Sequence, residues 1–318
     1  PQHRRQRQMC IRDSLYTTGI SASYPFYVNG KSIPATYNPP HSGNNFHINT
    51  DADGGPDSGP YEYQEVISYE QQLSDADRIK VETYLAVKYG VTMDNSAGGV
   101  AGDYLSVNGT IIWDADANAV NYHHDVAGIG RDDAEALGQI KSKSQNADAV
   151  LTITAEDEGS NDANAFVDIN DETYLLWGNN DGVNTWNEVD APTGYTKIAR
   201  TWIAKETGET GDLTLEFDFN NAQFNISQNA LFEEFFLLVD TDNDEDFSDE
   251  TPIRLFDDGT NGDELSGNSI YTARSVNIND GNIFTIANRF EYVTISGTGT
   301  STWTCLLYTS DAADDVVG

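Results

Sequence analysis

The sequence has few cationic residues, and this scarcity limits what the protein can bind. Its 318 residues include 17 lysine and arginine residues against 52 aspartate and glutamate residues, a formal net charge of −35. So acidic a surface repels the phosphates of nucleic acids and the anionic headgroups of membranes. We therefore expect no nucleic-acid partner and no role at a membrane surface.

Long apolar runs are missing as well. No stretch of about 18 apolar residues occurs, so no transmembrane helix and no membrane insertion are predicted. The N-terminus also has no apolar region of a signal peptide. Hydrophobic residues still make up 38% of the chain and aromatic residues 11%. This composition is sufficient for buried cores and argues against a disordered acidic tail.

Cysteine is almost absent, and the two that occur lie in unusual terminal segments. Cys10 lies in RRQRQMCIRDS (residues 4–14) and Cys305 begins CLLYTSDAAD (residues 305–314). These two segments are translations of opposite strands of one short DNA sequence, and they resemble a translated sequencing adapter (a transposon end). We expect both terminal segments to be artefacts, and the two cysteines not to form a native disulfide.

One α-helix is predicted, over residues 75–89. Ser74 stands at the N-cap position, and Asp77 three residues later completes a variant of the capping box. Apolar residues recur at helical spacing through the segment, and Gly90 stands where a left-handed residue commonly ends a helix. We expect this short amphipathic helix to pack as a cap on a β domain.

Two β features precede the helix. In FYVNGK, the pair Asn29-Gly30 is a strong signal for a hairpin turn. The run YQEVISYE (residues 63–70) predicts a strand whose Val66, Ile67 and Tyr69 face a core.

The chain after the helix indicates a β-sandwich. Strand-like runs such as TIIWD, AVLTITA, YLLWG and DLTLEFDF recur between residues 94 and 288 and are separated by turns rich in Asn, Asp and Gly. Short strands at regular spacing are typical of antiparallel sandwiches rather than of βαβ units.

Two resemblances make this reading more specific. The run EVISYEQQLSDADRIKVETYLAVKYGVT (residues 65–92) resembles the closing strand and trailing helix of concanavalin A-like, laminin-G-type jelly-roll domains. Residues 109–144 and 174–180 are similar to an uncharacterised β-rich module that follows such domains in large secreted bacterial surface proteins. The resemblances imply a mainly β protein, namely a partial jelly roll with one C-terminal capping helix followed by one or two antiparallel β-sandwich modules. They also imply an extracellular or cell-surface location, but no activity.

These patterns predict a series of segments in an internal fragment of a longer protein. In chain order they are an adapter artefact (1–14), the C-terminal part of a jelly roll (15–94), a β-rich module (95–194), a β-sandwich module (195–288), a linker or the start of another domain (289–304), and a second adapter artefact (305–318). Other domains of the same long chain are therefore expected partners.

The sharpest chemical pattern is the acidic loop 240–250, which follows the apolar run FFLLV. Aspartates alternate in VDTDNDEDFSDE, and such loops supply several of the hard oxygen ligands that Ca²⁺ requires. Carboxylates so close together also repel one another unless a cation neutralises them. A solvated acidic loop without metal is the alternative. The predicted calcium ligands are Asp240, Asp242, Asp244, Asp246 and Glu250, with the first three as the strongest candidates.

Two other patterns contain residue types that can bind a metal ion. Asp51 and Asp53 precede two glycines in NTDADGG, as in loops that hold calcium beside a sugar in jelly-roll lectins, and a plain turn is the alternative. His123 and His124 are adjacent, and adjacent residues of a strand point to opposite faces, so we do not expect one zinc ion to bind both. Calcium is the only cofactor predicted.

No catalytic pattern is recognisable. The chain has no G-x-S-x-G nucleophile elbow, and the E-x-D-x-x-E pattern of concanavalin-fold glycosidases is absent. Trp113, Trp177 and Trp202 lie in strand-like runs and are expected in the core. Trp186, in the loop NTWNEV, is the candidate for exposure and glycan contact.

The sequence therefore predicts a non-enzymatic fragment of a secreted or cell-surface bacterial protein. Its predicted role is adhesion by binding a glycan or another cell-surface ligand, with calcium-stabilised β-sandwich spacers. Two alternatives stay open: an accessory region of a polysaccharide-degrading enzyme whose catalytic domain lies elsewhere, and a structural stalk that binds nothing.

Overall fold

The computed structural model is mainly β over the residues that it describes. The described ranges are 16–17, 26–33, 64–69, 73–96, 102–116, 121–155, 169–188, 190–219, 234–257, 270–289, 292–296 and 302–306. Within them, the only α-helix, α1, spans Asp75–Tyr89, and every strand pairing is antiparallel. In this part of the chain, no helix has the length and apolar character needed to cross a membrane.

The strands are numbered in chain order. They are β1 (Tyr16–Thr17), β2 (Phe26–Val28), β3 (Lys31–Ile33), β4 (Tyr104–Leu105), β5 (Ile111–Trp113), β6 (His124–Asp132), β7 (Leu137–Gln139), β8 (Lys141–Lys143), β9 (Leu151–Ala155), β10 (Thr173–Asn179), β11 (Trp186–Glu188), β12 (Tyr195–Ile198), β13 (Trp202–Thr207), β14 (Leu213–Asp218), β15 (Glu234–Asp240), β16 (Ile253–Arg254), β17 (Phe256–Asp257), β18 (Ile270–Val276), β19 (Ile283–Arg289), β20 (Tyr292–Ser296) and β21 (Thr302–Leu306).

Two facing sheets form a β-sandwich. The large sheet has the order β11-β12-β19-β13-β10-β6-β7, with β15 paired to β19 and β16 paired to β15; the small sheet has the order β17-β18-β14-β9-β8. Trp177 and Phe284 from the large sheet meet Ile153 and Phe217 from the small sheet in one core. Two antiparallel sheets packed through a shared core are a sandwich, so the predicted fold class is confirmed.

A second core covers the other face of the large sheet. Val87 of α1, Trp113 of β5 and Leu176 of β10 belong to this core. Because the large sheet is buried on both faces, β10 is a continuous buried run, TYLLWGN. By contrast, β9 (LTITA) alternates between buried and partly buried residues, as expected for a strand with one buried face.

The predicted helix and hairpin are confirmed. Helix α1 begins after Ser74, whose hydroxyl accepts a hydrogen bond from the backbone N–H of Asp77 at 3.1 Å. It ends at Gly90, which has a left-handed φ of 66°. Asn29 and Gly30, with φ of 50° and 81°, form the turn between β2 and β3.

The predicted boundaries at 94/95 and 194/195 do not separate modules in the structure. β10, from the first predicted module, pairs along its length with β13, from the second. Helix α1, which was assigned to the jelly-roll segment, contacts β4, β6 and β7. The alternation of residues along a strand does not reveal which strand it pairs with. The prediction from the sequence therefore divided into modules what is one sandwich with a helical cover.

The strand predicted at 63–70 is not formed in the described residues 64–69. This segment pairs with no strand that the structure describes, and Val66, Ile67 and Tyr69 are exposed rather than facing a core.

The C-terminal prediction also changes. Part of the predicted linker 289–304 forms β20, which pairs with β21 in a two-stranded hairpin that extends to Leu306. Residues 1–14 lie outside the described ranges. The interpretation of both ends as translated adapters stays a prediction.

Candidate metal centre

The acidic loop begins at the buried end of strand β15 in the large sheet. β15 is buried from its second residue onward, and its last residue, Asp240, is fully buried, whereas residues 241–246 are exposed. Asp240 lies opposite Ile283 in the pairing of β15 with β19. The loop is therefore attached to the rigid centre of the fold at one end and open to solvent beyond it.

Three carboxylates converge at the start of this loop. One carboxylate oxygen from each of Asp240, Asp242 and Asp244 lies within 4.8 Å of the others, and we call these residues the three-aspartate group. Two oxygens bound to one Ca²⁺ at about 2.4 Å can be at most about 4.8 Å apart. The group thus has the donor chemistry and the spacing that one calcium ion requires.

Main-chain hydrogen bonds bend the loop around Asp240. The Asp240 carboxylate accepts hydrogen bonds from the backbone N–H of Glu245 at 2.9 Å and of Asp244 at 3.3 Å. Asn243 and Glu245 adopt left-handed φ values of 60° and 66°, which turn the chain back sharply. This turn brings the carboxylates of Asp242 and Asp244 to the end of β15.

A residue that the sequence analysis missed, just before β19, holds the loop. The side-chain amide of Asn282 donates to the carbonyl oxygen of Asp240 at 2.9 Å and to Oδ1 of Asn243 at 3.2 Å. Asn282 is buried and is 42 positions away from Asp240 in the chain. No local pattern points to it, because only the pairing of β15 with β19 brings it to the loop.

Charge repulsion is visible within the loop. The pKa of Asp242 is raised above its ordinary value, first by desolvation and then by the negative charges of Asp244, Asp249 and Asp240. Like charges favour the protonated form of a carboxyl group, and a cation favours the ionised form. A bound divalent cation would therefore offset the negative charges that contribute to this raised pKa.

The two remaining predicted ligands have other partners. The Glu250 carboxylate accepts hydrogen bonds from the backbone N–H of Thr241 at 2.7 Å and from its hydroxyl at 3.2 Å. Asp246 accepts from the backbone N–H of Ser248 at 2.8 Å, and its hydrogen bonds with Ser248 and Asp190 lower its pKa. Among the residues that the structure describes, the convergent acidic group contains neither of them. Both stabilise the loop's conformation.

A family comparison covers most of the sandwich. Residues 77–282 match a family described as a domain of unknown function (DUF8202), which is more than half of the chain. The chain belongs to this family. No curated protein and no solved structure matches the sequence. The DUF8202 match runs from α1 to the residue before β19, so it includes the acidic loop and crosses both predicted module boundaries.

The tryptophans of the DUF8202 domain are mostly core residues. Trp113, Trp177 and Trp202 are 0%, 1% and 2% exposed, as expected from their strand-like runs. Trp186 is not in a loop. It begins β11, is half-buried, and packs against Phe235 with ring centroids 5.4 Å apart. The position of Trp186 is therefore that of a core-edge residue, because the pairing of β11 with β12 draws it onto the sandwich core.

The other metal candidates are located as follows. Asp51 and Asp53 lie outside the described residues. His123 is a structural residue of the DUF8202 domain, since its Nδ1 accepts from Nε1 of Trp113 at 3.0 Å and its Nε2 donates to the carbonyl oxygen of Met93 at 2.6 Å. His124 is exposed.

Proposed function

We propose that the chain is a non-enzymatic β-sandwich module of a secreted or cell-surface multidomain bacterial protein, stabilised by calcium bound at the acidic loop. The three-aspartate group at the end of β15 carries this proposal. Its members offer only oxygen donors, which suit a hard cation, and the exposure of Asp242 and Asp244 leaves room for water and backbone ligands.

Calcium suits the group better than other common metals. Zinc sites in proteins are built from nitrogen and sulfur ligands with few carboxylates, whereas this group contains carboxylates alone. Magnesium demands near-ideal octahedral geometry and keeps most of its water, while calcium accepts irregular arrangements supplied by a short loop.

Calcium at this position would act on the stability of the whole sandwich. Asp240 is buried at the end of a central strand, and its carboxylate meets those of Asp242 and Asp244 only when the turn has formed. A ligand that binds the folded chain and not the unfolded chain stabilises the fold by mass action. The expected role of the ion is thus to stiffen a module between its neighbours in a longer chain.

A thermal melt of the full chain in millimolar calcium and in chelator tests the proposal. Calcium at a concentration of about 100 times the dissociation constant of the site adds roughly 2.7 kcal/mol to the free energy of unfolding. For a domain of this size, this gain raises the melting temperature by about 5 to 10 °C. Replacing Asp242→Asn together with Asp244→Asn should abolish the rise.

The control variant removes the same charge elsewhere. Glu209→Gln with Asp212→Asn neutralises two carboxylates in the turn between β13 and β14, and this variant should keep the full calcium response. Coincident wild-type melts with and without calcium would contradict the proposal and leave the acidic loop as solvated charge.

The proposed biological role is adhesion, with a glycan or another cell-surface ligand as the partner. The resemblance of residues 65–92 to jelly-roll domains supports this role, and the structural stalk and the accessory region of an enzyme are its alternatives. Incubation of the chain with plant and algal polysaccharides should give no hydrolysis. Measurable turnover would overturn the non-enzymatic proposal.

A further inference from the structure

A polar cleft lies where the chain crosses from the large sheet to the small sheet. Its volume is about 340 Å³, within the range of roughly 300–1,000 Å³ that small-molecule sites occupy. One wall is the C-terminal end of α1 with the adjacent residue Gln64, and the other is the segment 139–145, which includes β8.

Cationic side chains are concentrated in the lining of the cleft. Three lysines line the cleft, Lys88, Lys141 and Lys143, and among the residues that the structure describes no acidic one belongs to the lining. This concentration of cations occurs in a chain with only 17 lysine and arginine residues and a net charge of −35. The lining also includes Tyr89 and the amide side chains of Gln64, Gln139 and Gln145, all of which can donate and accept hydrogen bonds. Tyr89 in addition has an aromatic ring.

The two walls are locked together. The carbonyl oxygen of Gly90, just after α1, accepts a hydrogen bond from the backbone N–H of Gln145 at 2.8 Å. A Cβ atom at position 90 would lie only 2.1 Å from the carbonyl oxygen of Lys143, so glycine allows the helix end to touch the end of β8. The cleft is therefore formed before any ligand binds.

Carboxylates outside the lining hold the three lysines in place. Lys88 pairs with Glu65 at 2.8 Å, and Lys141 pairs with Glu216 at 2.7 Å. Lys143 lies 3.7 Å from Asp218. The lysine side chains are still 35%, 52% and 35% exposed, in that order. An ammonium group has three donors, so a positioned lysine can bind a second anion with little loss of side-chain entropy.

The arrangement suits a ligand with repeated negative charges. Lys141 and Lys143 are two residues apart in β8 and so lie on one face, about 7 Å apart along the strand. Lys88 approaches from the helix on the opposite wall. A single compact anion needs donors that converge on one point, whereas these lysines come from both walls of the cleft, and Gln139 and Gln145 flank the two on β8.

We propose that this lysine cleft binds an acidic saccharide, with carboxylate or sulfate groups paired to the lysines and sugar hydroxyls bound by the amides of Gln139 and Gln145. The inference rests on the proposed adhesion role, for which it names a ligand class, but it uses no residue of the acidic loop.

Calorimetric titration of the full chain at low salt tests the inference. The probes are a carboxylated oligogalacturonate, a sulfated heparin-derived oligosaccharide and a neutral cello-oligosaccharide of the same length. We expect binding of an acidic probe and none of the neutral one, and the stronger of the two acidic probes identifies the anionic group. Binding of neither acidic probe, or equal binding of the neutral one, would overturn the inference.

Variants locate the binding in the cleft. Lys141→Gln with Lys143→Gln should weaken binding by at least about tenfold, because charge-assisted contacts are lost. Gln139→Ala should weaken it without a change of charge. The control, Lys205→Gln, removes a lysine that pairs with Asp280 at 2.9 Å outside the cleft and should leave the affinity unchanged. Equal affinities for the double lysine variant and the wild type would refute the assignment.

Titrations in calcium and in chelator, both below the melting temperature, separate this inference from the calcium proposal. The affinity for the acidic probe should be the same in both buffers, whether or not calcium changes the melting temperature. Binding that requires calcium would place the saccharide at a metal site and overturn the lysine cleft.

Discussion

His123 shows how one partly buried side chain couples the fold to pH. Its ring bridges Trp113 and the backbone of Met93, and this pattern requires the neutral imidazole, with the proton on Nε2. Burial disfavours the charged form, and the pKa of His123 is therefore lowered from its ordinary value. The unfolded chain takes up this proton at a higher pH than the folded chain does.

The predicted consequence is a loss of stability as the pH falls below about 6.5, since protonation favours the unfolded state there. His123→Gln removes the titration along with the hydrogen bonds. The wild type should melt higher than this variant at about pH 7.5, and the gap should narrow by about pH 5.5. A constant gap for His123→Gln would contradict the assignment of the neutral ring.

At the scale of elements, the end of α1 shows what a glycine contributes. Gly90 combines a left-handed φ of 66° with a close approach to the carbonyl oxygen of Lys143, and it stops the helix while docking it on β8. Gly211 has a similar φ of 73°, but nothing lies within 4 Å of a Cβ placed there. Substitutions at these two positions therefore distinguish the cost of backbone strain alone from the cost of strain together with a steric clash.

We predict that Gly90→Ala destabilises the fold more than Gly211→Ala does. The left-handed conformation alone costs about 1 to 2 kcal/mol for a residue with a side chain, and only position 90 adds the clash. Urea unfolding of both variants measures the difference in the free energy of unfolding. Equal losses at the two positions would mean that the contact of the helix end with β8 carries no energy.

At the scale of the whole molecule, the large sheet joins chain segments that look separate in sequence. β10 pairs with β13, and β19 pairs with β12, β13 and β15. The core between the sheets takes residues from Ala127 to Ile286. Neither half of the sandwich has a complete core alone.

Residues 73–289 should accordingly unfold in a single cooperative transition, observed together by circular dichroism and tryptophan fluorescence. Residues 95–194 and residues 195–288, produced separately, should remain unfolded because each exposes strand edges and apolar surface that the other covers. A cooperative melt of either half alone would show that the predicted boundary at 194/195 is a true module boundary.

The sequence alone determined the features that depend on neighbours in the chain. Helix α1, the Asn29-Gly30 turn, the core tryptophans of the strand-like runs and the convergence of Asp240, Asp242 and Asp244 all follow from residue types at short spacing. Each of them has a local sign in the sequence, namely a cap, a turn pair, an alternating strand or closely spaced aspartates.

Only the tertiary structure decided which strands pair and what lies beside each loop. It merged the predicted modules into one sandwich, drew Trp186 onto the core and brought Asn282 to the acidic loop. It also assembled the lysine cleft from α1 and β8, for which the alternating KSK in a lysine-poor chain was the one local sign. These arrangements depend on strand pairing between residues that are far apart in the chain, and a strand's own pattern states which face is buried but not which partner it meets.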